Sequence, residues 1–215
     1  MVGLKIVHVV LDSELTFHAP KSVTAACGID ALSHCIEGVV SDVEENPEDM
    51  RMSMEGVRLI LQNLPKLTGE GWSSLPDEEA IEARGKMCRA ALYGGNAINT
   101  QLAGYVHAFA HSIGAKYHLP HGQAISLMLL PVLEFQQPAC REKYEQLARF
   151  CEVPDFLEAV RALLKKCGMD KKASPVKTED HEELIRMVAA DSINYSAPVT
   201  MNNRQIKNIL EQITK

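Results

Sequence analysis

The sequence predicts an all-α protein: a multi-helix domain of about eight or nine helices with one residual N-terminal strand. Three observations lead there. Apolar residues recur at helical spacing through nearly everything after Pro20, helix-start and helix-stop residues punctuate that pattern, and a β-branched run occurs only once, at Ile6 to Leu11.

The elements follow in chain order. Ile6 to Leu11 reads as the strand and ends at the turn-forming pair Asp12 and Ser13. Val23 to Val40 is periodic and carries Asp30, His34 and Glu37. Asn46, Pro47, Glu48 and Asp49 form a helix start, with a cap residue, a proline at the first helical position and acids in the first turn; that helix is expected to stop at Pro65. A polar connector from Gly69 to Pro76 leads into a helix that opens with Asp77, Glu78 and Glu79 and reaches about Asn99. Gly104 to Tyr117 and the mostly apolar Gly122 to Phe135 follow, then helical patterns at 138–151, 154–167, 179–191 and 203–213.

A chain of 215 residues can bury a proper core as one large domain or two small ones. A formal charge of -6 with a pI near 5.8 argues against nucleic acid and anionic membranes as partners. No run of 18 apolar residues is free of charge or histidine, and the N-terminus lacks both a basic start and a small-residue cleavage site. The six cysteines form no C-x-x-C pair, which fits reduced thiols in a cytoplasmic protein.

The chemistry concentrates in a few positions. Four of the eight histidines, His107, His111, His118 and His121, lie within fifteen residues of one another. His107 and His111 share a helix face, and Asp30 and His34 repeat the four-residue spacing upstream. His121 follows Pro120, which restarts the helix and lets the chain fold back toward the first pair. Asp30 stands among Ile29, Ala31 and Leu32, where a buried carboxylate needs a cation or a set of donors. Carboxylate plus imidazoles is a ligand set for a divalent transition metal. The zinc-protease pattern H-E-x-x-H is absent, because Ala108 follows His107. Glu37, one turn after His34, is a candidate partner for a ligand's second nitrogen, and His118 a candidate fifth nitrogen; Tyr105 and Tyr117 read as packing residues.

The stretches from Gly28 through Asp30, His34 and Glu37 to Gly38, from His107 through His111 to Ala115, and Pro120-His121-Gly122 resemble the iron-containing (group III) alcohol dehydrogenases. The resemblance covers residues from about 10 to 135. It implies a metal held by Asp30, His34, His107 and His121, with His111 beside the nicotinamide as a catalytic proton relay. It also implies Fe²⁺ or Zn²⁺ as the ion and a small alcohol or aldehyde as substrate. That family joins a dinucleotide-binding α/β domain to an all-helical metal domain. Residues 1–18 then correspond to the connecting strand and loop of the first, and 19–215 to the second. No Gly-rich phosphate loop occurs, since Tyr93, Gly94, Gly95 and Asn96 lie inside a helical pattern. NAD or NADP would therefore require the other domain, and the chain alone is expected to be inactive. Asn194 to Thr200 departs from the Asn-Pro-Arg-like end of many members.

Two other readings stay open at this level. The same ligands suit a stand-alone metallohydrolase or lyase with Glu37 as base, or a non-catalytic metal-binding helical module. An orphaned apolar strand also implies self-association, most simply as a homodimer.

Overall fold

In the computed structural model, which describes residues 8–44, 46–170 and 174–214, the chain is helical. The elements are α1 (Lys21–Val40), α2 (Pro47–Thr68), α3 (Asp77–Gln101), α4 (Tyr105–Tyr117), α5 (His121–Phe150), α6 (Phe156–Lys166), α7 (His181–Ser192) and α8 (Asn203–Ile213). Three single turns of 3-10 helix punctuate the connections.

Helix α1 sits at the centre. It packs on α2, α3 and α5, while α4 lies between α5 and α7, and α6 and α8 close the far side. Ile29, Leu32 and Ile36 of α1 are fully buried with Ile60 and Leu64 of α2, Phe109 and Ile113 of α4, and Met128, Leu129 and Leu133 of α5. Burying side chains of this size stabilises by roughly 1.5–3 kcal/mol each. Among the described residues only α1 is long and apolar enough to cross a membrane, and it is instead the buried core helix.

Local chemistry sets the helix starts. The Asn46 side chain accepts from the Glu48 N–H at 2.9 Å, and Asp155 accepts from the Glu158 N–H at 2.8 Å. Asn202 and Gln205 form a reciprocal capping box at α8. Each such cap contributes about 1 kcal/mol.

Three expectations are corrected. No strand occurs among the described residues: 8–11 are irregular chain and exposed, while Ile6 and Val7 fall outside the described residues. A lone β-branched segment has no neighbour to satisfy its backbone donors and acceptors, so composition alone does not make it a strand. Helix α2 runs past Pro65 to Thr68, because Leu64 and Leu67 are both buried and the Gly69 N–H closes the last turn on the Pro65 carbonyl at 2.7 Å. The helices expected at 122–135 and 138–151 are one thirty-residue helix that carries Pro131 and Pro138 inside it. Val132, Leu133 and Cys140 are buried around those prolines, and this burial outweighs the lost helical hydrogen bonds.

Candidate metal centre

Three helices deliver the donors. On α1, Asp30 and His34 stand one turn apart; on α4, His107 and His111 do the same. Helix α4 ends at Tyr117, His118 turns the chain with a left-handed φ of 52°, and Pro120 starts α5 so that His121 is its first residue. Gly122 makes this possible. A Cβ there would lie 2.5 Å from the Ala26 carbonyl oxygen, so only glycine lets α5 begin against α1.

The Nε2 atoms of three histidines surround one oxygen. Asp30 Oδ1 lies 3.1 Å from His121, 3.5 Å from His34 and 3.6 Å from His107. The donor atoms of Asp30, His34 and His107 all fall within 4.8 Å of one another. The rings of His34 and His107 stack at 4.6 Å with an interplanar angle of 21°. Four donors bound tetrahedrally at about 2.1 Å stand about 3.4 Å apart, the spacing found around Asp30. His107 Nε2 is buried without a hydrogen-bond partner, which a shared cation would remedy. The donor set therefore fits a divalent ion.

His107 is fixed from behind. Its Nδ1 meets Glu37 Oε2, and the other oxygen of that buried carboxylate accepts the Val106 N–H at 2.8 Å. The fit needs Gly104, where a Cβ would approach Glu37 Oε1 to 2.7 Å. A metal-binding imidazole held by a carboxylate on its second nitrogen has its tautomer set and its basicity raised.

The electrostatics follow from this crowding. Burial opposes the charge on Asp30, but the three imidazoles of His107, His121 and His34 facing it hold its carboxyl well below the usual range. Burial pushes His34 down to about 4 despite Asp30. Burial also opposes the charge on His107, yet Glu37 and Asp30 together carry it up to about 9.

His111 stands beside the cluster. Its ring lies 5.3 Å from that of His121 and 5.8 Å from that of His107, and it is exposed. Its Nδ1 meets Asp191 Oδ2 at 3.1 Å and the Tyr195 hydroxyl at 3.0 Å, and that hydroxyl also donates to Asp191 at 3.2 Å. Sequence reasoning misses Asp191 and Tyr195, because they reach His111 from eighty or more residues away and no local spacing announces them.

Other expected residues take structural places. His118 is the exposed left-handed residue that ends α4 and has no ring or ion contact with the cluster. The Tyr105 hydroxyl accepts the Met201 N–H at 2.8 Å, and the Tyr117 hydroxyl donates to Asp180 at 2.6 Å. The divergent segment after Asn194 folds back on the α3–α4 corner. The Ser196 N–H donates to the Ala103 carbonyl at 2.9 Å and its hydroxyl meets Ser41 Oγ at 2.6 Å. At the same corner Leu102 adopts φ 64° and ψ 169°, a conformation natural only to glycine.

A family model described as the Fe-containing alcohol dehydrogenase family, C-terminal, matches residues 24–214. The chain is 32% identical over 210 residues to alcohol dehydrogenase 4 of Saccharomyces cerevisiae, covering 94% of this chain and 53% of that protein. Its fold superposes on a crystal structure of 1,3-propanediol oxidoreductase with a TM-score of 0.82 at 29% identity, covering 94% of this chain and 54% of the other. A sulfoacetaldehyde reductase from Bifidobacterium kashiwanohense, solved in complex with NAD+, gives a TM-score of 0.81 at 25% identity, with 94% and 53% covered. The chain thus spans about half the length of the proteins it matches.

Proposed function

Since this chain belongs to the Fe-containing alcohol dehydrogenase family and matches its C-terminal part, we propose that it is the metal-holding half of an NAD(P)-linked oxidoreductase acting on a small alcohol or aldehyde. The observation that carries this reading is the convergence of three imidazole Nε2 atoms on Asp30 Oδ1. We assign Asp30, His34, His107 and His121 as the ligands of one Fe²⁺ or Zn²⁺ ion. Such an ion, when bound, supplies Lewis-acid polarisation of the substrate oxygen.

The chain's own residues then divide the remaining work. Glu37 keeps His107 Nδ1 occupied, so only Nε2 faces the ligand set. His111, exposed at the edge of the cluster with its Nδ1 turned to Asp191 and Tyr195, is the group we assign to carry a proton between the reacting oxygen and solvent. Asp191 and Tyr195 hold its Nδ1 and leave its Nε2 for that exchange. The dinucleotide would be held by an N-terminal domain to which residues 1–18 connect, with 19–215 as the metal-binding domain. Support comes from the half-length coverage of the relatives and the NAD+ named with one structural neighbour. We place the protein in the cytoplasm, where its six free cysteines remain reduced. We further propose self-association, since Val10 and Leu15 are 90% and 85% exposed within the connecting segment.

A hydrolase with Glu37 as base is disfavoured by the same geometry. That carboxylate is buried, and both its oxygens already face donors. The test is metal analysis of the purified chain with single substitutions at the four ligands. About one ion per chain is expected, falling steeply in each variant. Metal-free protein after loading with Fe²⁺ or Zn²⁺ would overturn the assignment.

A further inference from the structure

Away from the metal cluster, the chain before α1 borders the α1–α3 groove and lines an open pocket of about 220 Å³. Its walls are almost wholly apolar: Val23, Cys27, Leu67, Met87, Cys88 and Ala91 contribute, together with Arg84. Arg84 is the exception that needs a reason. It is only 6% exposed, and its five N–H donors find just two long contacts, 3.4 Å to the Ala19 carbonyl and 3.5 Å to the Thr24 hydroxyl. Among the described residues it has no ion pair. A buried guanidinium without an anion is costly, and its planar fork is shaped for a carboxylate.

We infer that this pocket is a binding site for an amphipathic monocarboxylate, its head paired with Arg84 and its tail lying along the apolar wall. The volume sets how much of the tail is covered. A cavity of 150 Å³ accommodates benzene, and at about 30 Å³ per water-sized group this one holds roughly seven carbons. A neutral chain of that length would fill the same wall but leave the guanidinium unpaired, so the charge supplies the discrimination. The site is independent of the metal assignment: none of its lining residues is a proposed ligand.

The experiment is calorimetric titration of the purified chain with octanoate below its micellar concentration and with 1-octanol below its solubility limit. In parallel, N-ethylmaleimide labelling of Cys27 and Cys88 is followed by mass spectrometry. Saturable octanoate binding is expected, at least about tenfold tighter than octanol, with slower labelling of both cysteines. Arg84→Gln should remove that tenfold preference while leaving octanol binding in place. Ala91→Phe, at an exposed position on the rim, should block both ligands without touching Arg84. The Ala91 variant together with the octanoate–octanol comparison decides the matter even if Arg84→Gln fails to fold. Equal binding of the two ligands, non-saturable uptake, or unaltered octanoate binding by folded Arg84→Gln would overturn the inference.

Discussion

Glu37 grips His107 across seventy residues of sequence, and it does so with both oxygens committed, one to the imidazole and one to the Val106 backbone N–H. Burial leaves no water to take over either role. Glu37→Gln should therefore keep the fold while loosening the ring that presents Nε2. Metal affinity, measured by competition with a chromophoric chelator, is expected to fall about 10–100-fold. An unchanged affinity would mean that packing alone orients His107.

The same pair sets a pH dependence. As a proposed ligand, His107 would coordinate through Nε2 only after that nitrogen loses its proton, and its pKa is raised to about 9. Below that value protons compete with metal, so affinity should climb by roughly one decade per pH unit from His107 alone and level off above about 9. His34, depressed to about 4, is already neutral through this range and adds a second proton only in acid. Chelator competition between pH 6 and pH 10 would show the slope; a flat profile would contradict it.

Substitutions at His111 and its two holders should separate metal binding from turnover. His111→Ala should retain the ion and, in an enzyme containing the cofactor domain, lower kcat by about 10²–10⁴-fold. Tyr195→Phe and Asp191→Asn act on the ring's placement, so smaller losses in kcat with intact metal content are expected. Loss of metal from His111→Ala would make it a ligand instead.

Leu102 offers a stability test. Its backbone is strained at φ 64° and ψ 169°, while its side chain is 43% exposed and has little packing to lose. Leu102→Gly should relieve that strain at some cost in unfolded-state entropy, a net gain of about 1 kcal/mol. Thermal melts would register this as a rise of about 2–4 °C. A lower midpoint would show that the leucine side chain contributes more than it strains.

The two histidine-bearing helix faces were legible in sequence because helical periodicity turns a spacing of four into a shared face, while the choice of Asp30, His34, His107 and His121 as the proposed ligands came from the family resemblance. Asp30 with His34 and His107 with His111 needed no tertiary knowledge. Glu37 could be nominated for the same reason, being one turn from His34. Asp191 and Tyr195 could not, since packing of α7 against α4 brings them to His111 and nothing local encodes that meeting. The caps of α2 and α8 follow their residues. The run through Pro131 and Pro138 does not, because burial of the flanking apolar residues overrides a local breaker. The N-terminal segment failed the other way: β-branched composition favours a strand only where another strand can pair with it.

That α1, α4 and α5 each bring part of the donor set has a consequence in time. Asp30 and His121 are ninety-one residues apart, so a chain emerging from synthesis carries half a site long before it carries a whole one. Early in folding, a cation meets only the Asp30–His34 pair, and the loop to His107 must close before two further nitrogens arrive. On the proposed ligand assignment, an ion would thus be captured by an assembled bundle and would not template one. Its identity would then follow whichever divalent metal is abundant when the last helix docks.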